Sequence, residues 1–551
     1  MSSDRVDVGG LTQRLSEIFY DQALGDISIS VNDEILPKTE DPLKEESKYG
    51  DCYIFDYQDF ENPRPGSEKD VARLEHDFCE LNFNVYSDYL DLTKQQTLDV
   101  LKMAAKKDHT RSKCFVCCFL THGAPGKLLM HDKYIKIDDI LKCFSSCKSL
   151  EGKPKIFIFQ ACRGGCCEEG VPCDSTDSDS GSVTDIPDFR DYLLIYSTYE
   201  GKISFKTKDE KHEENNHGSF FIDELCRTLE QFSGELDLLQ ILTIVNYRVS
   251  HFYLSHTLEE EFDKKKQMPC FISRLTTQVK FNRQIPMFVS NDTRYFDYRR
   301  SFSSLGSKSM ENPLEDKQLY KIQKSRIKFL LLLNMKNNFE SHLSACSSNL
   351  SSSIAKRSYQ RNELKDWSKK ELTDFLKKVV DKDCSDIDCL ICFVACQAKG
   401  DYLYDNKGNK FSMQDIVEKF TGKVCKDLRG KPKIFIFLMS SSTKKSWLPR
   451  VFAESTDGDD DDSLIPVHSD LLQVAINIQE SNQLEGVIGK FCNIFGEESS
   501  EDFLTQLTRM NDELVKDYGF YSPSNKNSAT FSFNSTLTET LILNKPKSKS
   551  K

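Results

Sequence analysis

From Cys52 onward the chain alternates short, continuously apolar runs with longer stretches whose apolar residues recur at helical spacing. "CYIF" is followed by Val71, Leu74, Phe78 and Leu81, which fall on one helical face. Thr93 with Gln96 then predicts a capping box ahead of a helix through Leu98 and Leu101. "CFVCCFL", a helix near "IKIDDILKCF", "KIFIF" and "DYLLIY" complete the series. Runs apolar at every position predict strands buried on both faces of a parallel sheet, and strands alternating with helices predict an α/β layer fold.

After "FSSLGSKSMENPLEDKQ" the same order returns. "IKFLLLL" opens it, Ser368 with Glu371 repeats the capping box before Leu372, Phe375 and Leu376, and "CLICFV" matches "CFVCCF". "MQDIVEKF" matches "IDDILKCF", and the octapeptide "GKPKIFIF" occurs at 152–159 and again at 430–437. "SLIPVHSDLLQVAI" echoes "TDIPDFRDYLLIYS", and "NSATFSFNSTLTETLILN" parallels "QMPCFISRLTTQVKF". A unit of this size makes a duplicated domain, not a solenoid. The expected organisation is a polar leader (1–48), a first domain (49–283) with an internal loop at about 168–190, a linker (284–321), a second domain (322–546) and a basic tail (547–551).

At 551 residues the chain has room for two large domains, and 38% hydrophobic residues suits folded domains with polar loops. A net charge of −12 argues against nucleic acid or an anionic membrane as partner. The start "MSSDRVDVGG" lacks a secretory pattern, and the apolar stretch Phe329 to Leu333 is too short to span a bilayer. Twenty cysteines without a signal peptide predict reduced thiols and a cytoplasmic location. The Cys114/Cys117 and Cys143/Cys147 spacings resemble metal ligands, but Cys114 and Cys117 lie within a strand-like run where cysteine is a small hydrophobe. No cofactor or metal is expected.

Reactive groups in α/β sheets gather at the C-terminal ends of the strands. In the first copy "CFVCCFL" ends in Thr121-His122-Gly123, and "KIFIF" ends in Gln160-Ala161-Cys162-Arg163-Gly164. A cysteine and a histidine on neighbouring strand tips supply a nucleophile and a proton partner, and backbone N–H groups at Cys162 and Gly123 are candidates to face an oxyanion. A Gln-Ala-Cys-Arg-Gly run with a histidine 40 residues upstream is a specific signature.

On these motifs, and on "GSEKDVARLEHDF", "LLIYSTYEG", "SFFIDELCRTLEQF" and "QMPCFISRLTTQVKF", residues 49–283 resemble a caspase catalytic domain. The resemblance implies a cysteine endopeptidase cutting after aspartate, with Cys162 as nucleophile and His122 as general acid and base. It implies a pocket for the aspartate formed by Arg64, Gln160 and a Ser-Trp-Arg motif, which here reads Ser204-Phe205-Lys206. Lysine keeps the charge but lacks the bidentate fork of arginine, so weakened or altered substrate binding is expected. The family also matures by cuts after aspartate. In "GVPCDSTDSDSGSVTDIPD" Asp177 is the first choice, Asp179 and Asp185 are alternatives, and Asp7 is a candidate leader cut. The leader is too short for the adaptor-binding bundles of initiator caspases.

In the second copy Gln397 or Ala398, depending on one gap, stands at the position of His122. Ser440 replaces Cys162 and Leu438 replaces Gln160. "ESTDGDDDDS" reads as a solvated acidic loop. The second copy therefore reads as a pseudo-caspase, catalytically degenerate, expected to dock on the first as an intrachain dimer partner and to activate or restrain it. Partners implied are protein substrates with aspartate before the cut bond, other caspases and caspase inhibitors. The alternative is a non-enzymatic regulator or decoy that pairs with other caspases in apoptosis or immune signalling.

Overall fold

A computed structural model describes residues 48–61, 64, 66–163, 190–199, 204, 218–253, 255, 265–283, 319–335, 339–382, 384–399, 402–441, 466–521 and 529–544. The expected leader, the processing loop with Asp177, Asp179 and Asp185, and the pocket residues Phe205 and Lys206 lie outside the described residues.

Among the described residues, one sheet has fourteen strands, two of them the short strands Tyr402–Tyr404 and Lys410–Phe411, and each half contributes six to its main path. In the N-terminal half these are β1 (Gly50–Asp56), β2 (Phe83–Leu90), β3 (Cys114–Leu120), β4 (Lys155–Gln160), β5 (Tyr192–Tyr196) and β6 (Cys270–Ser273). In the C-terminal half they are β7 (Ile327–Asn334), β8 (Gln360–Lys365), β9 (Cys389–Lys399), β10 (Lys433–Ser441), β11 (Leu471–Ile478) and β12 (Thr530–Ser535). The order across the sheet is β8-β7-β9-β10-β11-β12-β6-β5-β4-β3-β1-β2, a palindrome of equivalent strands. Pairing within each half is parallel except for the last strand. β6 and β12 pair antiparallel, with Phe533 opposite Ser273 and Ser535 opposite Phe271. Both halves lie in one compact unit, Ser47–Lys551.

The continuous apolar runs form central strands because both sheet faces are covered. Along β3 Cys114, Val116, Cys118 and Leu120 enter one core while Phe115, Cys117 and Phe119 enter another. Among the described residues, five helices accompany each set of strands. They are α1 (Ser67–Glu80), α2 (Lys94–Lys106), α3 (Ile137–Lys142), α4 (Phe220–Phe232) and α5 (Leu238–Phe252), then α6 (Glu340–Lys356), α7 (Lys369–Val380), α8 (Gln414–Val417), α9 (Ser481–Gly496) and α10 (Phe503–Tyr518). Both expected capping boxes are present, Thr93 with Gln96 at α2 and Ser368 with Glu371 at α7. One core runs unbroken through both halves, joining Phe78, Leu225 and Val245 to Leu343, Phe491 and Leu507. The opposite face carries a separate core in each half.

The duplication extends to backbone detail. Asn82, Asp91 and Asp191 turn corners with positive φ, and Ser358, Asp366 and Asp470 do so at equivalent points. Such conformations favour short polar side chains that bond locally. The repeated octapeptide encodes more than a strand. Buried Lys155 donates to Leu150 O at 3.0 Å and Lys153 O at 2.7 Å, and Lys433 donates to Leu428 O and Lys431 O at the same two distances.

Polar contacts join the halves beside the β6–β12 seam. Asn511 Nδ2 donates to Arg274 O at 3.2 Å and Leu275 O at 3.0 Å. Asn246 Nδ2 donates to Leu537 O at 3.2 Å, and Gln278 Nε2 to Thr505 Oγ1 at 3.2 Å. The expected linker ends slightly early, since Tyr320 already bonds Asp470 and Leu319 bridges to Thr540.

Candidate active site

The β3–β4 ladder ends at the pair Leu120 and Gln160. One further bond, Thr121 N to Gln160 O at 3.1 Å, closes the strands before the chains diverge. Beyond this point His122 and Cys162 stand on adjacent strand tips, each half-buried. Gly123 brings the tips together, because a Cβ built there would meet Cys162 O at 2.5 Å, Ala161 Cβ at 3.1 Å and Lys127 O at 3.2 Å. Only the absence of a side chain permits this approach.

Neighbouring groups fix the two tips. The His122 carbonyl accepts from Leu129 N at 2.8 Å, tying the tip to a short hairpin. The His122 ring lies against Phe60, with centroids 5.0 Å apart. On the other tip Ser197 Oγ accepts from Ala161 N at 3.3 Å, and Gln267 donates to Ser197 O at 2.7 Å. Cys162 Sγ lies 4.0 Å from Ser204 O. Arg163 turns away from the cleft: its guanidinium sits 3.8 Å over the Tyr196 ring and reaches Cys270 Sγ at 3.5 Å. Across the seam the Tyr199 ring stacks on His468, centroids 4.7 Å apart, so a C-terminal-half residue touches the loop that follows β5.

Of the expected pocket residues, Gln160 and Ser204 meet directly, Gln160 Nε2 donating to Ser204 Oγ at 3.1 Å. Gln160 Oε1 is buried without a partner. Arg64 is almost fully buried, and its Nη1 donates to Tyr57 O at 3.1 Å and to Ser67 Oγ at 3.2 Å. Asp56 Oδ1 lies 3.6 Å from the same Nη1 and accepts from Ser67 Oγ. Burial lowers the pKa of Arg64, while the carboxylates of Asp56 and Asp70 and the nearby Cys162 oppose that shift. Phe60, Ser197, Ser67 and Asp56 were not anticipated from the sequence. The one available signal was a charged residue, Asp56, directly after the apolar run Cys52–Phe55.

The equivalent ground in the C-terminal half is built differently. Leu438 corresponds to Gln160 through the octapeptide and pairs with Ala395, and the ladder runs on through Cys396–Met439, Gln397–Ser440 and Ala398–Ser441. Register thus places Gln397 at the position of His122 and Ala398 at that of Gly123. Backbone groups that diverge around the N-terminal cleft are here joined strand to strand, and β9 turns back to pair with Tyr402–Tyr404. The described cysteines are free thiols, and among the described residues no group of three or more His, Cys, Asp or Glu can hold a metal. No described helix is long and apolar enough to cross a membrane.

Comparison with known proteins adds three findings. The family model described as caspase domain matches residues 50–280 and, separately, residues 328–542. Over 247 residues the chain is 35% identical to caspase-7 of Gallus gallus, a match covering 42% of this chain and 77% of that protein. Over 239 residues it is 35% identical to caspase-3 of Mesocricetus auratus, covering 42% of this chain and 83% of the relative.

Proposed function

Because the chain belongs to the caspase family, we propose that it is a cysteine endopeptidase cutting after aspartate, with its chemistry confined to the N-terminal half. The observation that carries this reading is the close approach of Gly123 to the Cys162 carbonyl, which brings the His122 and Cys162 strand tips side by side.

In this reading the Cys162 thiolate attacks the carbonyl carbon of the substrate aspartate. The carbonyl electron pair moves onto oxygen, where the N–H groups of Gly123 and Cys162 receive it. Collapse of the adduct expels the amine of the following residue, which takes its proton from His122. Water then attacks the thioester, giving a proton to His122 and releasing Cys162. Arg64, Gln160, Ser204, Phe205 and Lys206 hold the aspartate side chain. Self-cleavage after Asp177, or after Asp179 or Asp185, matures the enzyme.

The C-terminal half is in this proposal a catalytically inert dimer partner within the same chain. Support comes from the uninterrupted sheet through β6 and β12, the shared core, and the closed ladder where a cleft would lie. Tethering gives such a partner a millimolar-scale effective concentration. A fully active, monomeric 1–283 fragment contradicts this role.

A second reading, a weak enzyme acting as a decoy or regulator of other caspases, is favoured by Lys206 and by the carboxylate of Asp56 beside Arg64. Hydrolysis of a fluorogenic Asp-x-x-Asp peptide separates the two. Activity in the wild type that disappears in Cys162→Ala supports the protease, and no activity in either supports the decoy.

A further inference from the structure

Asp56 stands out because the sheet does not require it. It ends β1, is 4% exposed, and pairs in register with Leu120. Leu120 corresponds to Ala395 through the paired ladders, and Ala395 pairs with Leu333. The duplicate position is therefore leucine, buried in the core. In the second half an apolar residue serves this corner. Burying a carboxylate there is unfavourable unless it meets a charge and hydrogen-bond donors. Asp56 meets both, with Arg64 Nη1 at 3.6 Å, Ser67 Oγ and Gln58 Nε2.

We infer that Asp56 is a positioning and affinity-setting residue, an internal carboxylate that engages Arg64 and competes with the acidic side chain of the substrate for its charge. The inference rests on the pocket assigned above. Asp56 and Ser67 hold the guanidinium in place on the Tyr57 carbonyl. When an aspartate enters, Arg64 faces two carboxylates, and the resident one weakens the grip on the other. Asp70 adds further negative charge nearby, but it is committed to Ser219, whose N–H it accepts at 2.8 Å. Asp56 therefore sets a modest affinity for acidic residues without touching them.

The test uses the full-length chain carrying Cys162→Ala, so that binding is read without turnover. A fluorescent Asp-x-x-Asp peptide and its Asp-x-x-Asn counterpart are titrated with and without Asp56→Asn. The expected result is about tenfold tighter binding of the aspartyl peptide, the order for removing one nearby like charge in a partly desolvated site, with the asparaginyl peptide unaffected. On the catalytically intact chain the same substitution lowers KM and leaves kcat within about twofold. Asp56→Leu, the residue type of the second half, gives the same direction if the asparagine variant folds poorly. Unchanged or weaker binding, an equal gain for both peptides, or no measurable binding of the aspartyl peptide to any of these proteins overturns the inference. Tight, Asp56-sensitive binding without hydrolysis by the intact chain instead overturns the protease reading and leaves this inference standing.

Discussion

Adding one methyl group at Gly123 is the most local perturbation of the proposed site. The backbone there has no positive φ, so alanine is conformationally acceptable and the effect is steric. The new Cβ lies 2.5 Å from Cys162 O, whereas ordinary contact begins near 3.4 Å, so the two strand tips must part by about 0.9 Å. Little else can yield, since Ala161 Cβ at 3.1 Å and Lys127 O at 3.2 Å crowd the same methyl. Overpacking of this kind costs about 1–3 kcal/mol of stability, which a fold of this size tolerates. Catalysis is far less forgiving, because a displacement of about 1 Å between reacting groups costs on the order of 100-fold in rate. Gly123→Ala is therefore expected to lose roughly two orders of magnitude in kcat/KM on an Asp-x-x-Asp peptide while still unfolding cooperatively. The converse change, Ala398→Gly at the matching position, leaves turnover unaltered. A Gly123→Ala enzyme that keeps kcat/KM within about threefold of wild type refutes the placement of His122 and Cys162 across this contact.

Three further outcomes follow from the seam and the pocket. Burial, reinforced by the charge of Asp237, pushes the Asp502 carboxyl up to about 7. Its neutral form is free of penalty below about pH 4; stability falls as pH rises from there through 7, so Asp502→Asn gains roughly 3 kcal/mol over wild type between pH 5 and pH 8. Parallel urea unfolding curves at the two pH values for both proteins contradict this. Asn511→Ala leaves the carbonyls of Arg274 and Leu275 without these buried bonds and lowers unfolding free energy by about 1–3 kcal/mol. Wild-type stability in that variant means the seam does not depend on Asn511. Lys206→Arg adds one charge-assisted hydrogen bond to a bound aspartate and raises kcat/KM about tenfold. No change on aspartyl peptides refutes the role given to Lys206.

Much of the fold was legible because it rests on local patterns. The apolar runs of β3 and β4 became central strands, and the capping boxes at Thr93 and Ser368 opened their helices. The position of Cys162 and His122 at strand tips was legible because strand ends follow directly from strands. Features that depend on how distant segments meet were not. Asp56 reaches Arg64 around a turn with no motif to announce it, and Phe60 finds the His122 ring in the same way. The choice between Gln397 and Ala398 was settled only by the β9–β10 register. Asp237 caps α5 with Gln240, but its second contact, from Thr505 across the seam, has no local signal. Asn511 looked like any polar residue on a helix until its two acceptors came from the other half.

The central claim is that one half of the chain carries the chemistry and the other does not. A peptidyl chloromethyl ketone ending in aspartate tests it directly, because the reactive thiolate displaces chloride and keeps a covalent tag. Intact-mass and peptide mapping of the tagged full-length protein are expected to show one adduct per chain, on Cys162, and none in the Cys162→Ala variant. No adduct at Cys162, or preferential tagging of a cysteine in the C-terminal half, contradicts the account.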